Sequence, residues 1–228
     1  MAFLQARMGS SRLPGKVLMP LSGKTILARA VERLQASDAI DEVIVLTTQQ
    51  PADDAVENEA RRIGVRVFRG AEFDVLDRYQ KASDEFRPEI IIRATSDNPL
   101  IDIGSAARIV DALRSMRLDY CIENELPYGA AVEAITADAL RKSHREAVEP
   151  RHREHVTLHV KETPDAYKLH FLTCPQPLRF PHLRVTVDTP EDFAFMSRLI
   201  ESIPEGEMPT PLDQFISLGL QLMRENRM

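Results

Sequence analysis

The chain has 228 residues, 29 Lys+Arg against 35 Asp+Glu for a net charge of −6, and 43% hydrophobic residues. A chain of this length buries roughly 70–75% of its unfolded surface, enough for one sizeable core, while the acidic balance and the lack of a long Lys/Arg run exclude a nucleic-acid coat. Two cysteines, Cys121 and Cys174, exclude a disulfide scaffold and CxxC zinc ribbons; with no apolar span of about 18 residues and no signal-type N-terminus, the expectation is a soluble cytoplasmic protein that binds no membrane.

In chain order, Phe3 and Leu4 open a short strand, and residues 43–46, 65–68 and 90–92 predict three more, the second and fourth buried on both faces. Between them, residues 25–34 repeat Ile26, Leu27, Ala30, Val31 and Leu34 at helical spacing. Residues 51–62 start with a proline suited to a first helical turn and stop before Ile63-Gly64, and residues 71–86 and 103–116 also read as helices. This βαβα order predicts an α/β fold, a mostly parallel central sheet with helices on both faces, and a ligand crevice beyond the carboxyl ends of the strands. From about residue 119 the pattern is less regular. Residues 119–122, 131–135, 167–173 and 183–187 predict strands, 138–148 and 154–160 helices, and Pro150 a break. Pro175, Pro177 and Pro181 predict an exposed loop or arm. Nothing marks a second domain, so residues 1–228 are expected to form one.

The segment Gln5-Ala-Arg-Met-Gly-Ser-Ser-Arg-Leu-Pro-Gly-Lys16 directly follows the first strand and gathers two glycines, two hydroxyls and three cations. Glycines let backbone N–H groups approach phosphate oxygens, and Arg and Lys add charge-assisted bonds, so the composition suits a polyphosphate. A P-loop fails on spacing: five residues separate Gly9 from Gly15, Val17 follows Lys16, and Gly23-Lys24-Thr25 has Leu18 where the first glycine belongs. No GxG pair exists, so the dinucleotide fingerprint is absent as well. On composition alone, a solvated basic turn explains the segment equally well.

The same twelve residues resemble the N-terminal signature of the CTP-dependent sugar cytidylyltransferases, the group that activates 3-deoxy-manno-octulosonate and acylneuraminate, and most of all its spore coat polysaccharide biosynthesis protein F branch. The resemblance continues through Phe68-Arg-Gly-Ala-Glu-Phe-Asp-Val-Leu-Asp-Arg-Tyr79, Arg93-Ala-Thr-Ser-Asp-Asn-Pro-Leu-Ile-Asp102, Arg153-Glu-His-Val-Thr157 and Arg184-Val-Thr-Val-Asp-Thr-Pro-Glu-Asp-Phe193. It implies a Rossmann-like nucleotide-diphospho-sugar transferase fold, CTP as substrate, transfer of CMP to a sugar acid or related acceptor with release of pyrophosphate, a role in surface polysaccharide biosynthesis, and a homodimer whose contact and acceptor region lies at about 120–182. Within that resemblance Arg7 and Lys16 are the catalytic cations, Ala6, Gly9, Ser10, Ser11 and Arg12 further nucleotide contacts, and Asp74 and Arg78 part of a segment beside the nucleotide. Residues 75, 76 and 79 equally fit a helix core face, with the neighbouring charges in solvent. Thr47 and Thr48, after the second strand, are candidates to meet base or ribose.

Asp97 lies just past the strand at 90–92, where Asn98-Pro99 turns the chain, and Asp188 ends the alternating segment 183–187 ahead of a helix start with Thr189 as N-cap, Pro190 first and Asp192 three residues after the cap. Carboxylates on separate strand ends can converge on one Mg²⁺, which takes one or two carboxylates and fills its octahedron with phosphates and water. The resemblance assigns that metal role to Asp97 and Asp188; an Asx turn and a cap are the local alternatives. His152, Glu154, His155 and His159 do not follow HExxH, and a helix face explains their spacing better than zinc. Together with Arg151 and Arg153 they are candidates for an acceptor pocket. One departure falls at Pro127-Tyr-Gly-Ala-Ala-Val-Glu133, where similar proteins carry aspartates around the positions of Tyr128 and Ala131. Two competing functions follow: a glycosyltransferase of related architecture, for which Ser96-Asp97-Asn98 replaces the usual DxD, and a non-catalytic nucleotide-binding protein.

Overall fold

The computed structural model describes residues 1–203 and 209–225. In chain order the elements are β1 (Ala2–Gln5), β2 (Pro20–Leu21), β3 (Lys24–Thr25), α1 (Ile26–Gln35), β4 (Val43–Thr48), α2 (Asp54–Arg62), β5 (Arg66–Gly70), α3 (Val75–Phe86) and β6 (Ile90–Thr95). There follow α4 (Ser105–Ser115), β7 (Tyr120–Asn124), β8 (Glu133–Thr136), α5 (Ala137–Glu146), α6 (Pro150–Glu154), α7 (Leu158–Glu162), β9 (Leu169–Thr173), α8 (Pro190–Glu201) and α9 (Leu212–Glu225). β2 and β3 form a small separate ribbon, and the other strands form one sheet in the order β5-β4-β1-β6-β8-β7-β9. β5, β4, β1 and β6 run parallel, β8 is antiparallel to both neighbours, and β9 is parallel to β7.

Side-chain alternation assigns the two faces. Ala2, Leu4, Val43, Val45, Ile90 and Ile92 point into a core closed by α1, α2 and α4, whereas Phe3, Ile44, Leu46 and Ile91 point into one closed by α3, α5 and α7. Strands apolar at every position therefore appear in the sequence as unbroken runs. The expected α/β architecture, mostly parallel with helices on both faces, is what the chain adopts. Its three-layer order places the carboxyl ends of β1 and β6 side by side, with Gln5 in register with Thr95, and loops leaving adjacent strand ends there form the crevice.

Three local expectations differ. Residues 183–187 are not a ladder strand: one bridge joins Tyr128 and Arg184, and the remaining bonds run to loops, Val185 N donating to Tyr128 O at 2.9 Å and Val187 N to Asp97 O at 2.8 Å. The alternation arises because Leu183, Val185 and Val187 point into a third core beneath α8 and α9. Residues 154–160 are not one helix. α6 ends at Glu154 and α7 begins at Leu158, because Thr157 turns its hydroxyl to the buried carboxylate of Glu133, donating at 3.0 Å. Pro150, expected to break the chain, occupies the first turn of α6, where its missing N–H is no loss. The region 120–182 supplies three strands of the main sheet, with Pro175, Pro177 and Pro181 in the exposed connection after β9.

Candidate active site

At the carboxyl ends of β1 and β6 lies a cleft of about 340 Å³. Its floor is the loop after β1. Asp53, at the end of the turn before α2, is buried and accepts both the Met8 N–H, at 2.6 Å, and the Thr48 hydroxyl. Met8 O in turn accepts from Ser10 N and Gly15 N, both at 3.0 Å. Gly15 has φ +69°, a left-handed conformation that costs glycine little, and it aims Lys16 inward. A Cβ at Gly9 would meet nothing within 4 Å, so bare backbone faces the open cleft.

Lys16 is the centre of the arrangement. Its Nζ donates to Asp97 Oδ2, Asp188 Oδ1 and Val187 O, each at 2.8 Å, using all three ammonium protons. The two aspartates expected to converge do converge, on a single cation. Asp188 also receives Arg12 Nη2 at 3.0 Å on Oδ1 and Arg184 Nη2 at 2.6 Å on Oδ2. Burial alone would raise the Asp188 carboxyl pKa; Lys16, Arg12 and Arg184 hold it below the ordinary carboxylate value. Arg184 is fixed through Nε to Asp192 Oδ1 at 2.8 Å, and Asp192 Oδ2 accepts from the Asp188 and Thr189 N–H groups at 2.9 and 3.1 Å. The Thr189 capping box of α8 is present as expected and doubles as the clamp on Asp188. From the other side, Gly129 at φ +98° lies so close that a Cβ there would sit 2.8 Å from Thr186 Cβ and 3.0 Å from Asn98 Oδ1, holding the loop at 127–130 against the segments that carry both aspartates.

Of the other expected residues, Ala6, Arg7, Gly9, Ser10, Ser11, Arg12 and Arg78 line the same cleft. Arg78 is 2% exposed, donates through Nη1 to Ala71 O at 2.8 Å, and has a buried Nε without a partner. Burial lowers its pKa, and no carboxylate pairs with it among the described residues. The unpartnered Nε makes Arg78 a candidate donor to a ligand, because a buried polar atom left without a hydrogen bond is costly. Gly70 makes room for it, since a Cβ there would stand 2.9 Å from Arg78 Cγ. Asp74, by contrast, does not line the cleft. It caps α3 by accepting from Asp77 N at 2.9 Å and pairs with Arg153 at 2.7 Å, so its charge is committed to joining α3 to α6. Thr47 and Thr48 are fully buried and also lie outside the cleft, with Thr48 turned to Asp53.

The cations expected around an acceptor are engaged elsewhere: Arg151 pairs with Glu149 and Glu162, Arg153 with Asp74, and His152 with Glu162 at 2.7 Å. The His152 and His159 rings pack edge to face at 5.3 Å, and among the described residues no group of three or more His, Cys, Asp or Glu is placed to hold a metal ion. From that segment Glu154 and His155 reach the cleft, as do Gln5, Thr95 and Ser96. Glu154 and His155 lie inside a quoted motif, and Gln5 immediately precedes the loop; the fold supplies what the pattern lacked, namely which of those side chains turn inward. Glu133, the one acid left in the departing stretch, is buried away from the cleft. It accepts from Tyr120 at 2.7 Å, Lys161 at 2.9 Å, Thr157 at 3.0 Å and Arg93 at 2.9 Å. Tyr128 is 59% exposed with the Arg184 guanidinium 4.8 Å above its ring.

Residues that converge for Mg²⁺ need to offer hard oxygen donors and leave coordination positions to phosphates and water. Asp97 and Asp188 fit: two carboxylates already gather around a cation, beside basic groups suited to phosphate.

A family model described as Cytidylyltransferase matches residues 1–225. The Bacillus subtilis spore coat polysaccharide biosynthesis protein SpsF is 37% identical over 211 residues, covering 90% of this chain and 87% of that protein. The solved structure of a cytidylyltransferase from Leptospira borgpetersenii superposes with a TM-score of 0.87 at 32% identity, covering 99% of this chain and 94% of that one. A CMP:2-keto-3-deoxy-manno-octonic acid synthetase complexed with CTP shares the fold, with a TM-score of 0.67 at 19% identity over 88% of this chain and 97% of that one. On the family match across residues 1–225, the chain belongs to the cytidylyltransferase family.

Proposed function

We propose that the protein transfers CMP from CTP to a hydroxyl of a sugar acid or related small acceptor, releasing pyrophosphate, as a cytoplasmic, homodimeric, Mg²⁺-dependent enzyme of surface polysaccharide biosynthesis. The observation that carries this reading is the convergence of Asp97 and Asp188 on one cation in a cleft that also holds Arg7, Arg12 and Arg78. The acceptor hydroxyl oxygen attacks the α-phosphorus and releases its proton to solvent, as the bond to the β-phosphate bridging oxygen breaks and the electron pair leaves with pyrophosphate. Such a transfer asks a protein for alignment and charge neutralisation more than for covalent chemistry. Arg7 and Lys16 neutralise the leaving pyrophosphate, the loop at 9–12 positions the phosphates through backbone N–H groups and hydroxyls, and Arg78 donates to an acceptor atom of the nucleoside. Mg²⁺ bound by Asp97 and Asp188 supplies Lewis-acid polarisation of the phosphate oxygens. The region 120–182, with Tyr128 and the cleft-facing Glu154 and His155, is assigned to acceptor contact and dimerisation.

The test is CTP-dependent pyrophosphate release across a panel of sugar acids and polyols with Mg²⁺. Release with at least one acceptor, abolished by Asp188→Ala, is expected. Consumption of a nucleotide sugar instead would identify a glycosyltransferase, and CTP binding without turnover on any acceptor would leave a binding protein.

A further inference from the structure

Two cations compete for one position between the aspartates. The Lys16 side chain is 9% exposed, and its ammonium bridges Asp97 Oδ2 and Asp188 Oδ1 at 2.8 Å each. Mg²⁺ on carboxylate oxygens sits at about 2.0–2.1 Å, so an ion shared by the same two oxygens would overlap the ammonium and meet its charge at contact distance. Asp188 is further occupied by Arg12 on Oδ1 and Arg184 on Oδ2. These three cations offset the charge that would otherwise attract a divalent ion. A polyphosphate changes the balance, because it offers Lys16 and the 62%-exposed Arg12 new anionic oxygens in the cleft that both residues line.

We propose that Lys16 is an internal counter-ion that keeps divalent metal off the Asp97–Asp188 pair until a nucleotide triphosphate draws its ammonium away, which makes metal and nucleotide bind with positive coupling. This rests on the function proposed above and specifies the order of events at that site. Lys16 leaving without a metal would strand two carboxylates together, and metal arriving without a nucleotide would strand the ammonium. Linkage requires that the factor by which nucleotide tightens metal equals the factor by which metal tightens nucleotide.

The probe is Mn²⁺, titrated at fixed pH with free ion followed by electron paramagnetic resonance, with and without a non-transferable α,β-methylene CTP analogue. Wild-type protein is expected to bind Mn²⁺ weakly alone and about tenfold or more tightly with the analogue. Lys16→Met, shown folded by circular dichroism, is expected to bind Mn²⁺ alone about tenfold or more tightly than wild type, and to gain less from the analogue. Arg12→Met, which removes a more exposed cation from one aspartate only, is expected to gain less than Lys16→Met. Wild-type Mn²⁺ affinity that is unchanged by the analogue overturns the inference without any variant. So does a folded Lys16→Met protein with wild-type Mn²⁺ affinity; in both cases the proposed reaction stands if pyrophosphate release remains metal-dependent. Absence of Mn²⁺ binding to either protein under every condition overturns the inference and the metal role of the aspartates together.

Discussion

Lys16→Ala is expected to lower turnover in CTP-dependent pyrophosphate release by about 10²–10³-fold, the loss seen when a preorganised donor to developing transition-state charge is removed. The ammonium is placed for that task by the left-handed Gly15, the short turn it opens, and the contact of the preceding loop with Asp53. It is also desolvated, so its charge is screened less than that of a surface lysine. The loss should fall mainly on kcat, because the pyrophosphate carries more negative charge as it departs than in bound CTP. Steady-state kinetics on a protein verified as folded would check this, and a wild-type kcat would remove Lys16 from the chemistry.

Glu133→Gln is expected to destabilise the fold by about 3–5 kcal/mol, the cost of breaking a buried ion pair from one side. The substitution keeps the shape and removes the charge that Arg93 and Lys161 share. Burial would push the Glu133 carboxyl up, but Arg93, Lys161 and the Tyr120 hydroxyl outweigh it and hold the pKa at about 2, below its ordinary value of 4.5. A depressed folded-state pKa contributes stability that is fully present above the unfolded value and lost as pH falls through the folded one. Wild-type stability should therefore decline between about pH 4.5 and about pH 2, and the variant should lack this component of the decline. Urea unfolding across that range would show it, and parallel pH profiles for the two proteins would contradict it. The network also matters to the cleft, since Thr157 and Lys161 tether the segment carrying Glu154 and His155 to the sheet.

The parts of the fold that were legible in the sequence are those in which local pattern and tertiary role coincide. Residues 43–46 and 90–92 are apolar on both faces because helices cover both, and Thr189-Pro190 starts a helix because its cap is local. Leu183, Val185 and Val187 misled because alternation reports burial of one face and is blind to hydrogen-bond partners. Within the site, residue type and position marked the basic loop and both aspartates only as candidates, with a solvated turn, an Asx turn and a cap as equal alternatives, and it was the resemblance that chose among them. Asp74 was not separable from a ligand contact, since its cap on Asp77 N is local but its ion pair depends on Arg153, 79 positions away. Arg184 and Asp192 were visible as letters of a motif, but their hold on Asp188 exists only once Arg184 and α8 are brought together. Glu133 stood out as the last acid of its stretch, and only the packing of β8 against Tyr120, Arg93 and Thr157 reveals that it is structural.

A crystal of the protein grown with the α,β-methylene CTP analogue and Mn²⁺, with the ion located by anomalous scattering, tests the central claim most directly. The account predicts an ion bridging Asp97, Asp188 and the phosphates, with Lys16 and Arg7 moved onto phosphate oxygens and Arg78 on the nucleoside. An ion bound elsewhere, or a nucleotide outside the cleft with Lys16 still seated between the two aspartates, would contradict it.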